Sequence, residues 1–334
     1  MGSSKGKGGL LAMALVLIAL AGDMACAAVS NYVGILVDGQ GALSSILEGS
    51  TAIVCHGISD QTEVSLPGKT FYCRSLGGKS VIVANTGHGM INAARTAQQL
   101  LNLAPGTQLV VHYSNAGTPN LHRKLGDVLI SRQVAHTGIW YWQNLKDNSY
   151  KGRAYLKFAD YTLGIQPLPY PSVCGPIGNK LNRVWYRDAQ IIYSPDNTDA
   201  VFWLPTERRD AAGKVNLTNC ADVNGSRKCL SYTPSVVSDG GNGCSSDIFV
   251  QNGEYAKFLG RYFSCQAIDR GAAAVALVVR RVPYVPFVSP PSVVSVKTVS
   301  NYAGIKPGSR LKDKQVLKQI GYQNALDVIK AIVA

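Results

Sequence analysis

The sequence is short of acidic residues, short of charge altogether, and has no long apolar run beyond its N-terminus. Charged side chains make up 16% of the 334 residues, and 20 acids face 33 basic groups for a formal net charge of +13. A nucleic-acid surface needs its basic residues clustered and interleaved with aromatics. Here they are scattered, as Arg208-Arg209, Arg280-Arg281 and a run from Lys306 to Lys318. They read as a solvated basic face that attracts acidic surfaces only loosely, so no specific nucleic-acid partner is expected. No C-x-x-C pair is present, which removes the usual spacing of a zinc site; neither a metal nor a cofactor is expected. Low-complexity linkers and internal repeats are missing too, and with 46% hydrophobic residues the chain is expected to form one large domain.

What is present begins at the N-terminus. Lys5 and Lys7 precede the apolar residues 10–21, and Ala25-Cys26-Ala27 offers a small-residue cleavage site. The apolar run is too short to span a bilayer, so residues 1–27 are expected to be a secretory signal peptide and residues 28–334 the mature domain. No other stretch is long enough for a membrane span. An oxidising compartment follows, and seven cysteines remain once Cys26 is removed from the eight: Cys55, Cys73, Cys174, Cys220, Cys229, Cys244 and Cys265. Cys220 and Cys229 flank a short polar loop and are the first disulfide candidate; Cys55 with Cys73 is the second. The odd count leaves at least one thiol free or paired between chains. Two glycosylation sequons, Asn216-Leu-Thr218 and Asn224-Gly-Ser226, mark the same region as surface.

Periodicity gives an α/β rhythm. Residues 32–37 read as a buried strand and 42–47 as a helix start, while 51–56, 68–73 and 79–84 read as strands separated by glycine or polar turns. Residues 90–103 have helical spacing ended by Pro105-Gly106, and Leu109-Val110-Val111 opens a central strand that is expected to break at Ser114. Residues 127–131 form the next strand. Between 144 and 236 the pattern loosens, with 182–193 mixed and 200–205 a short aromatic run. A strand end at 249–252, helices at 253–261 and 269–279, and a last strand at 282–288 closing at Pro290-Pro291 follow. Residues 314–333 close the chain as an amphipathic helix with Val316, Ile320, Leu326, Ile329 and Val333 toward the core.

The stretch from Val110 to Gln143 organises the rest. Its strand runs into Ser114-Asn115-Ala-Gly117, and small residues at such a strand end let backbone approach a ligand. Read with Asn85-Thr-Gly-His-Gly-Met-Ile-Asn-Ala-Ala94 upstream and Leu125-Gly126-Asp127-Val128 downstream, it resembles the purine nucleoside phosphorylase and methylthioadenosine nucleosidase superfamily. The run Ala135-His-Thr-Gly-Ile-Trp-Tyr-Trp-Gln143 resembles the plant branch, the bark and vegetative storage proteins. The similarity covers roughly residue 31 to the C-terminus. It implies a nucleoside phosphorylase-like α/β fold, with a central mixed sheet flanked by helices, and a homo-oligomer around the active-site face, although no periodicity here marks an interface. It also leaves vacuole and cell exterior both open as destinations.

Cleaving a nucleoside's glycosidic bond requires an acid for the departing base, a carboxylate for the ribose hydroxyls and a group that handles water or phosphate. In the family these are an acid in the first strand-to-helix loop, a Met-Glu pair at the start of a small-residue helix, and an Arg-Ala-x-Ser-Asp run after the last strand. The first acid falls on Ala42 here. The pattern Asp-Met-Glu-Ser-Ala-Ala-Val-Ala becomes Asp269-Arg-Gly-Ala-Ala-Ala-Val-Ala276, so Arg270 stands for Met and Gly271 for Glu. The last run falls on Val288-Ser-Pro-Pro-Ser292, with Val288 for the Arg and Ser292 for the acid. Asn115 replaces a hydroxyl residue in the anion-contacting turn and brings no titratable group.

Losing three carboxylates and an arginine removes several contributions of roughly 10²–10⁴-fold each. No catalytic residue is therefore assigned, and the resemblance implies a storage-type protein on a kept scaffold. A purine or nucleoside-like small molecule is the candidate ligand, with Phe249 at the purine-stacking position and Asn115, Gly117 and Arg270 beside it. The alternatives are N-glycosidic cleavage by displaced groups such as Asp38, Asp247 or Asp269, and reuse of the crevice for binding or another reaction. His88 and His136 are further candidates to face a ligand.

Overall fold

A computed structural model describes residues 31–143, 154–156, 183–186, 201–238, 241–280, 291–304 and 314–334. The expected signal peptide, Cys174, the strand expected at 282–288 and Val288 lie outside these residues. In chain order the first elements are β1 (Val33–Val37), α1 (Gln40–Glu48), β2 (Thr51–Ala52), β3 (Glu63–Leu66), β4 (Lys69–Leu76), β5 (Lys79–Asn85) and α2 (Met90–Leu103). Then come β6 (Leu109–Thr118), β7 (Val128–Ile130), β8 (Gln133–His136), β9 (Trp140–Gln143), β10 (Ala154–Leu156), β11 (Arg183–Tyr186), β12 (Val201–Trp203) and α3 (Thr206–Ala212). The remainder are β13 (Cys220–Val223), β14 (Ser226–Cys229), β15 (Val236–Val237), β16 (Asn242–Ser245), α4 (Gly253–Tyr262), β17 (Cys265–Asp269), α5 (Ala272–Arg280), β18 (Ser292–Tyr302) and α6 (Lys314–Val333).

The centre is parallel. β6 lies between β1, paired Val33 with Leu109 through Val37 with Tyr113, and β18, paired Ser292 with Leu109 through Tyr302 with Thr118. β5 flanks β1 in parallel and β4 continues the sheet antiparallel. On the other side β17 meets β6 at Ile268 and Gly117, and β16 and β8 extend the sheet from there. The sheet is mixed, and helices cover both faces.

Alternation along the central strands decides which helices they meet. Leu36, Ile82, Ala84, Val110 and Val293 pack against Ala93, Ala97 and Leu100 of α2 and against α5. Ile35, Val37, Val81, Val83, Val111, Tyr113, Val294 and Val296 pack on the opposite side against Ala42 and Ile46 of α1 and Leu326, Ile329 and Ile332 of α6. α6 has the expected bounds, and its five predicted core positions are all buried.

Several boundaries differ from expectation. β6 does not break at Ser114; it continues to Thr118 because β18 pairs with it over its whole length and supplies the hydrogen bonds a loop would lack. Residues 51–56 yield only the short β2, and Phe249 precedes α4 outside any strand. A small helix expected from 269 starts at Ala272, Asp269 being the last residue of β17. β18 itself went unforeseen, since Pro290-Pro291 reads as the end of a strand and here precedes one.

Disulfides join Cys55 to Cys73 and Cys220 to Cys229 as expected, and a third joins Cys244 of β16 to Cys265 of β17. The third pairs neighbours 21 apart in sequence that parallel strand pairing brings to a Cα separation of 5.8 Å, a juxtaposition that loop spacing does not reveal. Both sequon asparagines are exposed; Asn224 and Gly225, at φ 51° and 75°, form the two-residue tip between β13 and β14.

Candidate functional site

The C-terminal ends of the parallel strands open on a cavity of about 210 Å³. Asp38 directly follows β1, β6 contributes Asn115, Ala116 and Gly117, and β18 contributes Ser300 and Asn301. The segment after β16 brings Ile248, Phe249 and Val250, and the end of β17 brings Ile268, Asp269 and Arg270. The four sequence-derived ligand positions, Phe249, Asn115, Gly117 and Arg270, therefore line one cavity. Phe249 is 69% exposed, so its ring stands at the rim rather than in the core.

Two glycine turns hold one wall. Asn85 Oδ1 accepts from Gly39 N–H at 3.1 Å and Gly87 N–H at 2.9 Å, tying the β1–α1 turn to the β5–α2 turn. Gly39 and Gly87 sit at φ 111° and 71°, where a side chain would be strained. The tie places His88 Nδ1 2.6 Å from Asp38 Oδ1, a close electrostatic contact without an aligned hydrogen bond. Burial raises the Asp38 carboxyl above the usual range, and His88 pulls it back.

Beneath the cavity floor lies a closed polar cluster. Lys297 is fully buried, and its ammonium donates to His112 Nδ1 at 2.9 Å, to Ser114 Oγ at 2.9 Å and to Asp269 Oδ2. All three protons are used. Asp269 also accepts from Ser245 Oγ, from Ser114 Oγ at 3.2 Å and from Ala272 N–H at 3.1 Å, which caps α5. Burial alone would raise Asp269, but Lys297, His112 and these hydrogen bonds bring it down to about 2. Burial and the adjacent ammonium drop His112 to about 3, so its ring is neutral. Since Nδ1 accepts from Lys297, the ring proton sits on Nε2, a buried donor with no partner among the described residues.

That Nε2 bears on the missing glutamate. A Cβ on Gly271 would stand 2.8 Å from His112 Nε2, 3.1 Å from its Cε1 and 3.3 Å from Ala93 Cβ. His112 and α2 occupy the space through which a side chain at 271 would leave the backbone.

The arginine-and-acid run lies at the far end of β18, not at its start. Ser292, assigned above as the substituted acid, starts β18 far from the cavity, and the strand end that lines the cavity is Lys297-Thr-Val-Ser300-Asn301. This keeps the spacing of Arg-Ala-x-Ser-Asp with Lys for Arg and Asn for Asp. Two conservative-looking replacements hid it from the sequence. The single proton of Ser300 Oγ is shared between Ala116 O at 3.2 Å and Asn301 Oδ1 at 3.0 Å, which faces the amide oxygen to Ser300 and turns its N–H groups away.

The model of the phosphorylase superfamily matches residues 35–185. Bark storage proteins A and B of Populus deltoides are each 30% identical over 226 residues, covering 66% of this chain and 66% of theirs. This chain belongs to the phosphorylase superfamily, in its bark storage protein branch. Among solved structures, a 5'-methylthioadenosine/S-adenosylhomocysteine nucleosidase from Colwellia psychrerythraea in complex with adenine superposes at a TM-score of 0.59 with 18% identity, covering 91% of this chain and 95% of that one. Futalosine hydrolase of Helicobacter pylori gives 0.56 with 18% identity, over 91% and 97%. At that identity these structures establish the fold of this superfamily member.

Of the remaining sequence candidates, Asp38, His88 and Asp269 line the cavity, and Asp247 and His136 lie outside its lining. Asp247 Oδ1 accepts from Met90 N–H at 2.7 Å and caps α2, and Asp269 is committed to Lys297. His136 lies outside the lining, and burial lowers it. Asp38, which the motif alignment left out, lines the cavity. Asp127 is structural: its carboxylate accepts from Lys124 N–H and Ser235 N–H, both at 2.9 Å, and holds the turn at Gly126. Among the described residues no group of three or more His, Cys, Asp or Glu could hold a metal ion, and no helix is long and apolar enough to cross a membrane.

Proposed function

We propose that this superfamily member is a storage-type protein of the secretory pathway that no longer cleaves N-glycosidic bonds and keeps the cavity only for a small ligand. The observation that carries it is the contact of His112 Nε2 with the space above Gly271. Ribose recognition by a carboxylate at that position would need both the missing side chain and the room His112 occupies. Asn301 supports the same reading, because an amide at the acid's position donates a hydrogen bond but has no proton to transfer to a departing base. The N-terminal signal and the exposed sequons at Asn216 and Asn224 favour secretion with glycosylation, to vacuole or cell exterior, of a mature domain over residues 28–334. Phe249, Asn115, Gly117 and Arg270 are the proposed ligand contacts.

The test is release of free base from methylthioadenosine, adenosine and inosine by the disulfide-intact protein, with and without phosphate. No release above the uncatalysed rate is expected. Turnover at an ordinary enzymatic rate of about 1 per second or more would end the storage reading. One observation favours a second reading, cleavage by displaced groups: Asp38, its carboxyl raised by burial, sits against His88 in the cavity. In that case Asp38→Asn would abolish the release.

A further inference from the structure

Among the pocket positions that depart from the family pattern, Asn115 carries an amide that can donate or accept, whereas Arg270 and Asn301 turn donors toward the cavity. Arg270 lines the cavity and lowers Asp38 electrostatically, without a hydrogen bond to it or to another of the described residues. Asn301 has its oxygen occupied by Ser300, so its amide N–H groups are the part left to meet a ligand, and Nδ2 lies 3.2 Å from where a Cβ on Gly117 would stand. The glycine leaves the amide its room. We propose that the cavity binds a small planar molecule carrying a single carboxylate, with Arg270 and Asn301 taking the carboxylate and Phe249 covering the ring.

Charge bookkeeping around the cavity leads to this chemistry. Asp269 is neutralised by Lys297, and Asp38 feels His88, Lys297 and Arg270 together, so Arg270 acts on a carboxylate across the cavity without an ion pair or hydrogen bond to one among the described residues. A guanidinium presents paired N–H groups at the spacing of carboxylate oxygens and stays charged at any physiological pH. The same chemistry suits a phosphate, but a single guanidinium matches the one charge of a carboxylate and leaves a dianion half-compensated. Size points the same way. Drug-sized ligands occupy pockets of roughly 300–1,000 Å³, and at about 210 Å³ this cavity suits a ring with one substituent better than a whole nucleoside. Ile248, 41% exposed beside Phe249, extends the apolar rim on which such a ring would rest.

The inference rests on the reading of the cavity as a retained ligand site, and not on whether nucleosides are cleaved. Calorimetric titration of the full mature protein with benzoate, indole-3-carboxylate, benzamide, indole, phenyl phosphate and adenine tests it. The two carboxylates are expected to bind saturably and at least tenfold more tightly than benzamide and indole. Arg270→Met should weaken the carboxylates by tenfold or more and adenine by much less; Asn301→Ala should weaken them several-fold. Both variants are melted alongside the parent so that a loss of fold is not read as a loss of binding, and Arg270→Lys, which keeps the charge without the fork, should recover part of the affinity. Carboxylates no tighter than their neutral counterparts, or unchanged in both variants, would overturn the proposal. Phenyl phosphate tighter than benzoate would overturn the choice of a monoanion. Adenine binding without carboxylate binding overturns this inference alone, whereas no binding by any probe removes the ligand site as well; base release in the cleavage assay leaves it standing.

Discussion

His112 Nε2 stands 2.8 Å from where a Cβ on Gly271 would be, so one strand residue occupies the exit of a side chain on the neighbouring helix turn. Lys297 holds that imidazole from the other side, through Nδ1 at 2.9 Å. The glycine, the histidine and the lysine form one arrangement: changing the first alone forces the second, which the third does not release.

Gly271→Ala is accordingly expected to destabilise the protein by about 1–3 kcal/mol through overpacking. Combined with His112→Ala it should cost less than the two single changes summed, because the cavity left by the ring accepts the new methyl. Denaturant unfolding of the four proteins in the cycle measures this; strict additivity would show that the two residues do not share the space.

Breaking the buried ion pair from one side should be severe. Lys297→Met leaves Asp269 without its counter-ion and is expected to cost about 3–5 kcal/mol. Pairing it with Asp269→Asn should restore a large part of the loss, since no buried charge then remains. Urea midpoints of the single and double variants decide it.

Acid should destabilise the protein in two overlapping steps. His112 is held at about 3 against an ordinary 6.5, so the unfolded chain takes up a proton that the folded one refuses as pH falls from 6.5 toward 3. Asp269, held at about 2 against 3.8, adds a further loss as pH falls below 3.8. Each step has a limiting slope on the order of 1 kcal/mol per pH unit. Asp38, raised by burial, works in the opposite sense but is only partly buried. Stability measured from pH 7.5 to 4 should fall, and His112→Gln should flatten the part between 6.5 and 4.

The Cys244–Cys265 disulfide ties β17, whose end lines the cavity, to its neighbour β16. Cys244→Ala with Cys265→Ala is expected to cost about 2–4 kcal/mol and to lower the melting temperature more than loss of Cys220–Cys229, which closes a shorter loop on a surface hairpin. Calorimetric melting of both double variants is the check.

Much of the architecture was legible beforehand. The strand at Val33–Val37, the helices at Met90–Leu103 and Lys314–Val333 and the glycine-rich strand ends all carry local patterns of period 2 or 3.6, and local patterns survive in one dimension. The ordered blocks around Asn85, Asn115 and Gly126 likewise pointed to the superfamily, and Phe249, Asn115, Gly117 and Arg270, positions taken from that resemblance, line one cavity. β18 was not legible, because Pro290-Pro291 mimics a strand's end and Lys297 interrupts a valine-rich run with a charge that only a partner can justify.

The sequence by itself determined the alternation that sends each strand's residues to one helix layer or the other, and with it the fold. Tertiary structure decided what the substitutions mean. That Gly271 is closed by His112, that Asp269 belongs to Lys297 and not to a substrate, and that Cys244 meets Cys265 all depend on pairs 21 to 159 residues apart. Such contacts are set by strand register and burial, where the cost of an unpaired charge or an occupied volume is felt only after distant segments have been brought together.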